Sequence, residues 1–144
     1  MSEKELQVKI LSPDRILFRG AAQSIGLPGE LGYMTLLPGH ASMVAALEIG
    51  VLALEKEGGA IERLFLAGGF VDVGQGGVTV LADVVEKSSE IKVERAKKSL
   101  ERAEERLSSR KKTDEAVDLP RALAAKKRAQ IRLELAGATK GTSH

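Results

Sequence analysis

Residues Ala67–Ala82 read Ala-Gly-Gly-Phe-Val-Asp-Val-Gly-Gln-Gly-Gly-Val-Thr-Val-Leu-Ala, a run of β-branched residues punctuated by five glycines. Glycine at this density suggests either a phosphate-cradling loop or tight turns between strands. The first reading fails on context. A phosphate loop needs GxxxxGK[ST] leading into a helix, whereas Gly74-Gln-Gly-Gly77 leads into Val78-Thr-Val-Leu-Ala82, an extended pattern. Hairpin turns that need positive φ account for these glycines. The same grammar runs back towards the N-terminus. Leu6-Gln-Val-Lys-Ile-Leu11 alternates apolar with polar, Ser12-Pro13-Asp14 is a turn, and Arg15-Ile-Leu-Phe-Arg19 resumes an extended pattern before Gly20. Ile61-Glu-Arg-Leu-Phe-Leu66 leads into Ala67-Gly-Gly-Phe70, and Val71-Asp-Val73 into the next turn. Glu57-Gly58-Gly59 fits a hairpin connection. Ala41–Leu47 is too short for its period to separate a helical turn from a buried strand. Many short strands at this spacing predict a sandwich or flattened barrel.

The pattern changes near Lys87. Met1–Glu86 hold six Lys and Arg against eleven Asp and Glu, a balance of −5, and thirteen of the fifteen glycines. The remaining residues hold sixteen against nine, a balance of +7. Two structural units follow from this contrast. In the second, Val93, Ala96, Leu100, Ala103 and Leu107 are spaced three, four, three, four along one stripe of a helix. Ser88 or Ser89 can cap its start, with Glu90 in the first turn. Arg110–Asp114 reads as a loop. Asp118 caps a second helix, Pro120 sits in its first turn, and the helix runs to about Ala136, before Gly137 and a polar tail. Arg95-Ala96, Arg102-Ala103 and Arg106-Leu107 recur as Arg121-Ala122, Arg128-Ala129 and Arg132-Leu133, at a constant offset of 26 residues. Alanines on the stripe allow two antiparallel helices to approach closely, with arginines beside the seam. Those guanidinium groups either lie along the surface or pair with carboxylates and phosphates.

Chemistry is thinly represented. Without cysteine there is no disulfide, thiolate metal site or cysteine nucleophile. His40, one of two histidines, belongs to no HExxH-like metal set and has no GxSxG elbow to serve, so no catalytic or metal site is expected. The N-terminus lacks a signal-peptide pattern, and Leu36–Leu54 is too interrupted to span a membrane, so direct membrane insertion is not expected. Nucleic acid is disfavoured as a partner: the helices carry no aromatic residue for stacking, and Glu94, Glu101, Glu104 and Glu105 break their basic field.

Taken in order, the opening strand with Ser12-Pro13-Asp14, Leu37-Pro-Gly-His-Ala41, Leu47-Glu-Ile-Gly50, Ala67-Gly-Gly-Phe70, Val78-Thr-Val-Leu-Ala-Asp83 and the Arg-Ala hairpin closely resemble ε subunits of bacterial F-type ATP synthases. The resemblance implies an N-terminal antiparallel β-sandwich, or flattened barrel, over 1–86, an antiparallel two-helix hairpin over 87–137, and a polar tail over 138–144. It implies a non-catalytic rotor component at the cytoplasmic face of the bacterial inner membrane. In that family the sandwich binds the γ subunit and the ring of c subunits. The hairpin reaches the catalytic α/β subunits when extended and inhibits ATP hydrolysis. The resemblance marks Glu30, Gly32, Tyr33 and His40 as ring or γ contacts: counted back from Pro38-Gly-His40, the family's ring-contacting glutamate falls on Tyr33, with Glu30 nearby. No cofactor is required. ATP is a regulatory ligand in some members, and the positions matching its site are Glu86, Ile91, Arg95, Ala96, Arg102, Arg128 and Arg132, with Lys92 in place of the usual aspartate. The alternative is a free-standing nucleotide-sensing or basic adaptor module.

Overall fold

The computed structural model describes residues 5–109 and 118–141. The chain divides into two compact units, one ending at Lys87 and the other beginning at Ser88. The first is built from β1 (Leu6–Ser12), β2 (Arg15–Gly29), β3 (Gly32–Leu36), β4 (Met43–Lys56), β5 (Ile61–Gly74) and β6 (Gly77–Lys87). The second holds α1 (Val93–Ser109) and α2 (Leu119–Gly141).

Sheet order is β1-β6-β5-β4-β2-β3, and β1 also pairs with β2. Five strands therefore close into a ring, with β3 attached outside it on β2. Five strands in a ring cannot alternate direction all the way round, so one pair must be parallel. That pair is β1–β6, in the register Val8↔Val78 to Leu11↔Leu81; every other pair is antiparallel. The expected antiparallel sandwich is thus present, closed by one parallel seam. Its core is Leu, Val and Ile, including Ile10, Ile25, Leu27, Leu54, Leu66, Val71 and Val80, as so few aromatics require. Among the described residues no polar or charged side chain is buried.

The strands are longer than their glycines suggest. β2 passes straight through Gly20, which pairs with Val8 in the ladder. Ala41–Leu47 resolves as strand from Met43. Ile61–Leu66 and Val71–Val73 are two ends of one fourteen-residue strand, β5, rather than neighbours across a turn. Gly68 and Gly69 lie inside it at φ 79° and 127°. On β5 the core residues are Leu64 and Leu66 before the glycines, then Val71 and Val73 after them, so the inward face changes from even to odd positions. β6 changes likewise, from Val78, Val80 and Ala82 to Val85, and β4 from Leu47 to Leu52 and Leu54. All three switches fall on the row Glu48, Gly68, Asp83, which lies between the pairs Leu47↔Gly69↔Ala82 and Ile49↔Ala67↔Val84. A one-residue phase change in a single strand would turn its apolar set outward. Because neighbours change together, the core stays continuous through the bend. Gly74–Gly77 form the β5–β6 hairpin, and Glu57–Gly59 a 3₁₀ turn between β4 and β5, as expected.

In the second unit the stripe appears where its spacing places it. Ala96 and Ala103 of α1, and Ala122, Ala129 and Ala136 of α2, are buried, each series spaced by seven, while Leu100 and Leu107 are half-buried. Asp118 caps α2: its Oδ1 accepts from Arg121 N–H at 3.2 Å and its carbonyl from Ala122 N–H at 3.0 Å. Two boundaries differ from expectation. Ser88–Glu90 form a 3₁₀ turn, so neither serine caps α1, which begins at Val93. α2 continues through Gly137 to Gly141, so the polar tail expected over 138–144 is helical at its start. One glycine costs a helix only about 1 kcal/mol, and alanines flank it on both sides. The expected loop Arg110–Asp114 lies outside the described residues.

The face switch yields a test. An added Cβ at Gly69 runs into the Leu81 carbonyl oxygen, and its φ suits only glycine, whereas Gly74 is open and has ordinary φ. Gly69→Ala is expected to destabilise the chain by at least about 2 kcal/mol. Gly74→Ala should stay within about 0.5 kcal/mol, as measured by denaturant unfolding.

Candidate docking surfaces

The residues marked for contact gather on two turns. β2 and β3 form a hairpin closed by Gly29↔Gly32, leaving Glu30 and Leu31 as its two-residue tip. Gly32 takes φ 131°, and Glu30 N–H donates to the Ala46 carbonyl at 3.0 Å, tying the tip to β4. Glu30, Gly32 and Tyr33 are all exposed, and Leu31 is fully so. Tyr33 lies on the outer face over Gly26, where any side chain would meet its ring at 2.8 Å. Partial burial pushes the Tyr33 phenol above its ordinary pKa, and the Arg63 guanidinium pulls the other way. His40 ends the next turn, with its N–H donating to the Leu37 carbonyl at 3.1 Å and Nδ1 2.9 Å from the Ala41 carbonyl. Gly-Glu-Leu-Gly is therefore a hairpin tip, and the hairpin presents Glu30 and Tyr33 together.

His40 also lines a cleft of about 350 Å³ with Gln7, Gln75, Leu6 and Val73, and with Glu5 at its edge. A hydrogen bond with Glu57, then that group's charge, holds the Glu5 carboxyl above the usual range. Among the described residues no three His, Cys, Asp or Glu side chains converge as metal ligands would.

A second surface was missed by motif reading. In one row across the sheet, Ala46 pairs with Phe70, Phe70 with Leu81, Leu81 with Leu11, and Leu11 with Ile16. Paired residues share a face, so this apolar stripe crosses five strands, roughly 19 Å at the usual strand spacing. Phe70 is 57% exposed, Ile16 54% and Leu81 50%, and Val44, in the next outward position on β4, is 70% exposed. Asp72, Thr79 and Lys9 rim it one row away. A contiguous apolar patch with a polar rim marks a protein interface. The signal was in the sequence. Val71 and Val73 alternate inward, as do Val78, Val80 and Ala82, so Phe70 and Leu81 are large apolar residues out of phase.

On the helices, Arg95 and Arg102 are exposed on α1, with Arg102 Nε donating to the Lys98 carbonyl of its own helix at 3.5 Å. Arg128 and Arg132 are half-buried on α2, while Ile91 and Ala96 are buried. Glu86 stands on β6, in the other unit. The acidic residues that interrupt the basic field are concentrated on α1, which has five Lys and Arg against four Glu; α2 has six against Glu134 alone.

Comparison with known proteins covers both units. Residues 5–88 match the family model for the ATP synthase delta/epsilon chain beta-sandwich domain, and residues 89–137 that for its long alpha-helix domain. The chain belongs to the ATP synthase delta/epsilon family. It is 41% identical over 133 residues to the ATP synthase epsilon chain of Moorella thermoacetica, covering 92% of this chain and 97% of that one. Identity to the epsilon chain of Symbiobacterium thermophilum is 42% over 135 residues, covering 93% and 94%. Among solved structures, a chain of the Euglena gracilis mitochondrial ATP synthase (OSCP/F1/c-ring) superposes with a TM-score of 0.68 at 25% identity, covering 98% of this chain and 82% of that one. The resemblance drawn from the motifs thus holds along both units, and the free-standing sensor or adaptor gives way to an ATP synthase epsilon subunit. No helix among the described residues is long and apolar enough to cross a membrane.

The stripe makes a specific demand on the family member. Phe70→Asp, at an exposed site, should shift the melting midpoint by no more than a few degrees. It should nevertheless cut retention of the subunit in the ATP synthase at least tenfold, read by co-purification and thermal melt.

Proposed function

We propose that the chain is a non-catalytic subunit of the central stalk, docked on the γ subunit through the Ile16–Leu11–Leu81–Phe70–Ala46 stripe. That stripe, with Ile16, Leu81 and Phe70 exposed, is the observation that carries the reading: a subunit that must stay bound while torque passes through it needs an apolar docking face. The Glu30, Gly32 and Tyr33 hairpin and the His40 turn meet the polar loops of the c ring. The complex holds the subunit peripherally at the cytoplasmic face of the bacterial inner membrane. The helical hairpin inhibits ATP hydrolysis by reaching acidic surface on the α and β subunits, and α2, nearly free of acidic residues, is the helix suited to that contact. Deleting everything after Glu86 is expected to preserve γ binding on gel filtration and to raise ATP hydrolysis by the assembled enzyme. A truncated enzyme as inhibited as the parent would remove the regulatory role of the helices.

ATP is proposed as a ligand of the hairpin, with Arg95, Arg102, Arg128 and Arg132 supplying guanidinium groups to its phosphates. Ile91 and Ala96, both buried, would shape the pocket wall rather than make polar contacts. Lys92, exposed, stands where the family has an aspartate. Calorimetric titration of the full chain with ATP should give saturable heat at or below millimolar concentration. Silence throughout that range would sink the assignment.

A further inference from the structure

The two helices begin in opposite ways. Asp118 accepts the first-turn amide of α2 with its carboxylate, as a helix-starting residue should. The equivalent position before α1 is Lys92, whose carbonyl accepts from Ala96 N–H at 3.0 Å. A lysine ammonium has three donors and no acceptor, so it can serve neither the Glu94 nor the Arg95 amide, and its charge opposes the helix dipole. Lysine is, however, a good residue for a helix interior. The four residues before it, Ser88-Ser-Glu-Ile91, contain no glycine or proline, and a serine followed by glutamate is a sound helix start. In sequence, then, α1 should begin at Ser88 or Ser89. In the structure that stretch is a 3₁₀ turn closed by Ile91 N–H to the Ser88 carbonyl at 3.3 Å, with the Ile91 side chain buried.

We infer that Ser88–Lys92 is a two-state connector: a 3₁₀ turn and break when Ile91 is buried, and an added turn of α1, starting at Ser88, when Ile91 is released. Adding Ser89–Lys92 to α1 lengthens it by about 6 Å at 1.5 Å per residue. The 3₁₀ turn already has helical handedness, and conversion moves the partner of the Ser88 carbonyl from Ile91 N–H to Lys92 N–H. Lys92 sets the balance, since it weakens the break and suits the longer helix. The inference rests on the reading of the hairpin as a moving inhibitor, and gives that movement a hinge that changes length as it opens.

Lys92→Asn supplies the missing acceptor and is a poorer interior residue. Lys92→Ala removes the same charge but cannot cap. In the full chain without nucleotide, hydrogen exchange at the Glu94 and Arg95 amides should slow about five-fold in the Asn variant and not in the Ala variant. In the assembled ATP synthase, Lys92→Asn should raise hydrolysis towards the level reached when the hairpin is deleted, and Lys92→Ala should not. Equal exchange in the two variants overturns the inference. Hydrolysis unmoved by Lys92→Asn, in an enzyme that hairpin deletion does release, overturns the connector and leaves the inhibitory hairpin standing. If deletion itself releases nothing, both readings fall.

Discussion

Two consecutive glycines in left-handed backbone, Gly68 and Gly69, hold the first unit together in a way no contact between side chains does. They let β5 turn its apolar set over in mid-strand, and β4 and β6 turn theirs in the same row. Three strands can then follow one bend and still face one core. Without it, half of each strand would present leucine and valine to water. Burial of a single such side chain is worth about 1.5–3 kcal/mol, so a phase error across three strands exceeds the whole stability of an ordinary domain.

The bend also accounts for the placement of the apolar stripe. Beyond the glycines the inward positions of β5 are Val71 and Val73, which leaves Phe70 on the outside. The ladder then lines it up with Leu81, Leu11 and Ile16 without any further device. Three motifs of the family resemblance, Leu47-Glu-Ile-Gly50, Ala67-Gly-Gly-Phe70 and the one that Asp83 closes, meet at the row Glu48, Gly68, Asp83. Their composition is architectural: Gly69 gives the Leu81 carbonyl room, and Gly68 does the same for the Asp83 carboxylate, 2.6 Å from where a Cβ would stand.

Much of this is legible in the sequence. The helix stripe, the Asp118 cap, the Glu57–Gly59 connection and the alternation of β1 are local signals, written within a few residues of where they act. The errors came from non-local effects. In sequence Gly68-Gly69 reads as a break because positive φ usually means a turn; only neighbours changing phase together turn it into a bend. Gly20 looked like a stop for the same reason. Ser88 and Ser89 are sound caps that a buried Ile91 overrides, since burying an isoleucine outweighs a cap. The hairpin of Glu30 and Tyr33 is marked only by the family resemblance. The stripe of Phe70 and Leu81 needed the register, although their being out of phase with Val71 and Val80 was there to be seen.

The parallel seam between β1 and β6 has a consequence for how the protein is made. Val8 finds its partner in Val78, seventy residues later in the chain. Pairings of such long range are slow to form, and chains emerge from synthesis N-terminus first. β1 can meet β2 as soon as the Ser12-Pro13-Asp14 turn has formed, but its other edge stays open until β6 has appeared. The barrel therefore cannot close before β6 has been made, and β1 waits for the strand that leads out of the sheet.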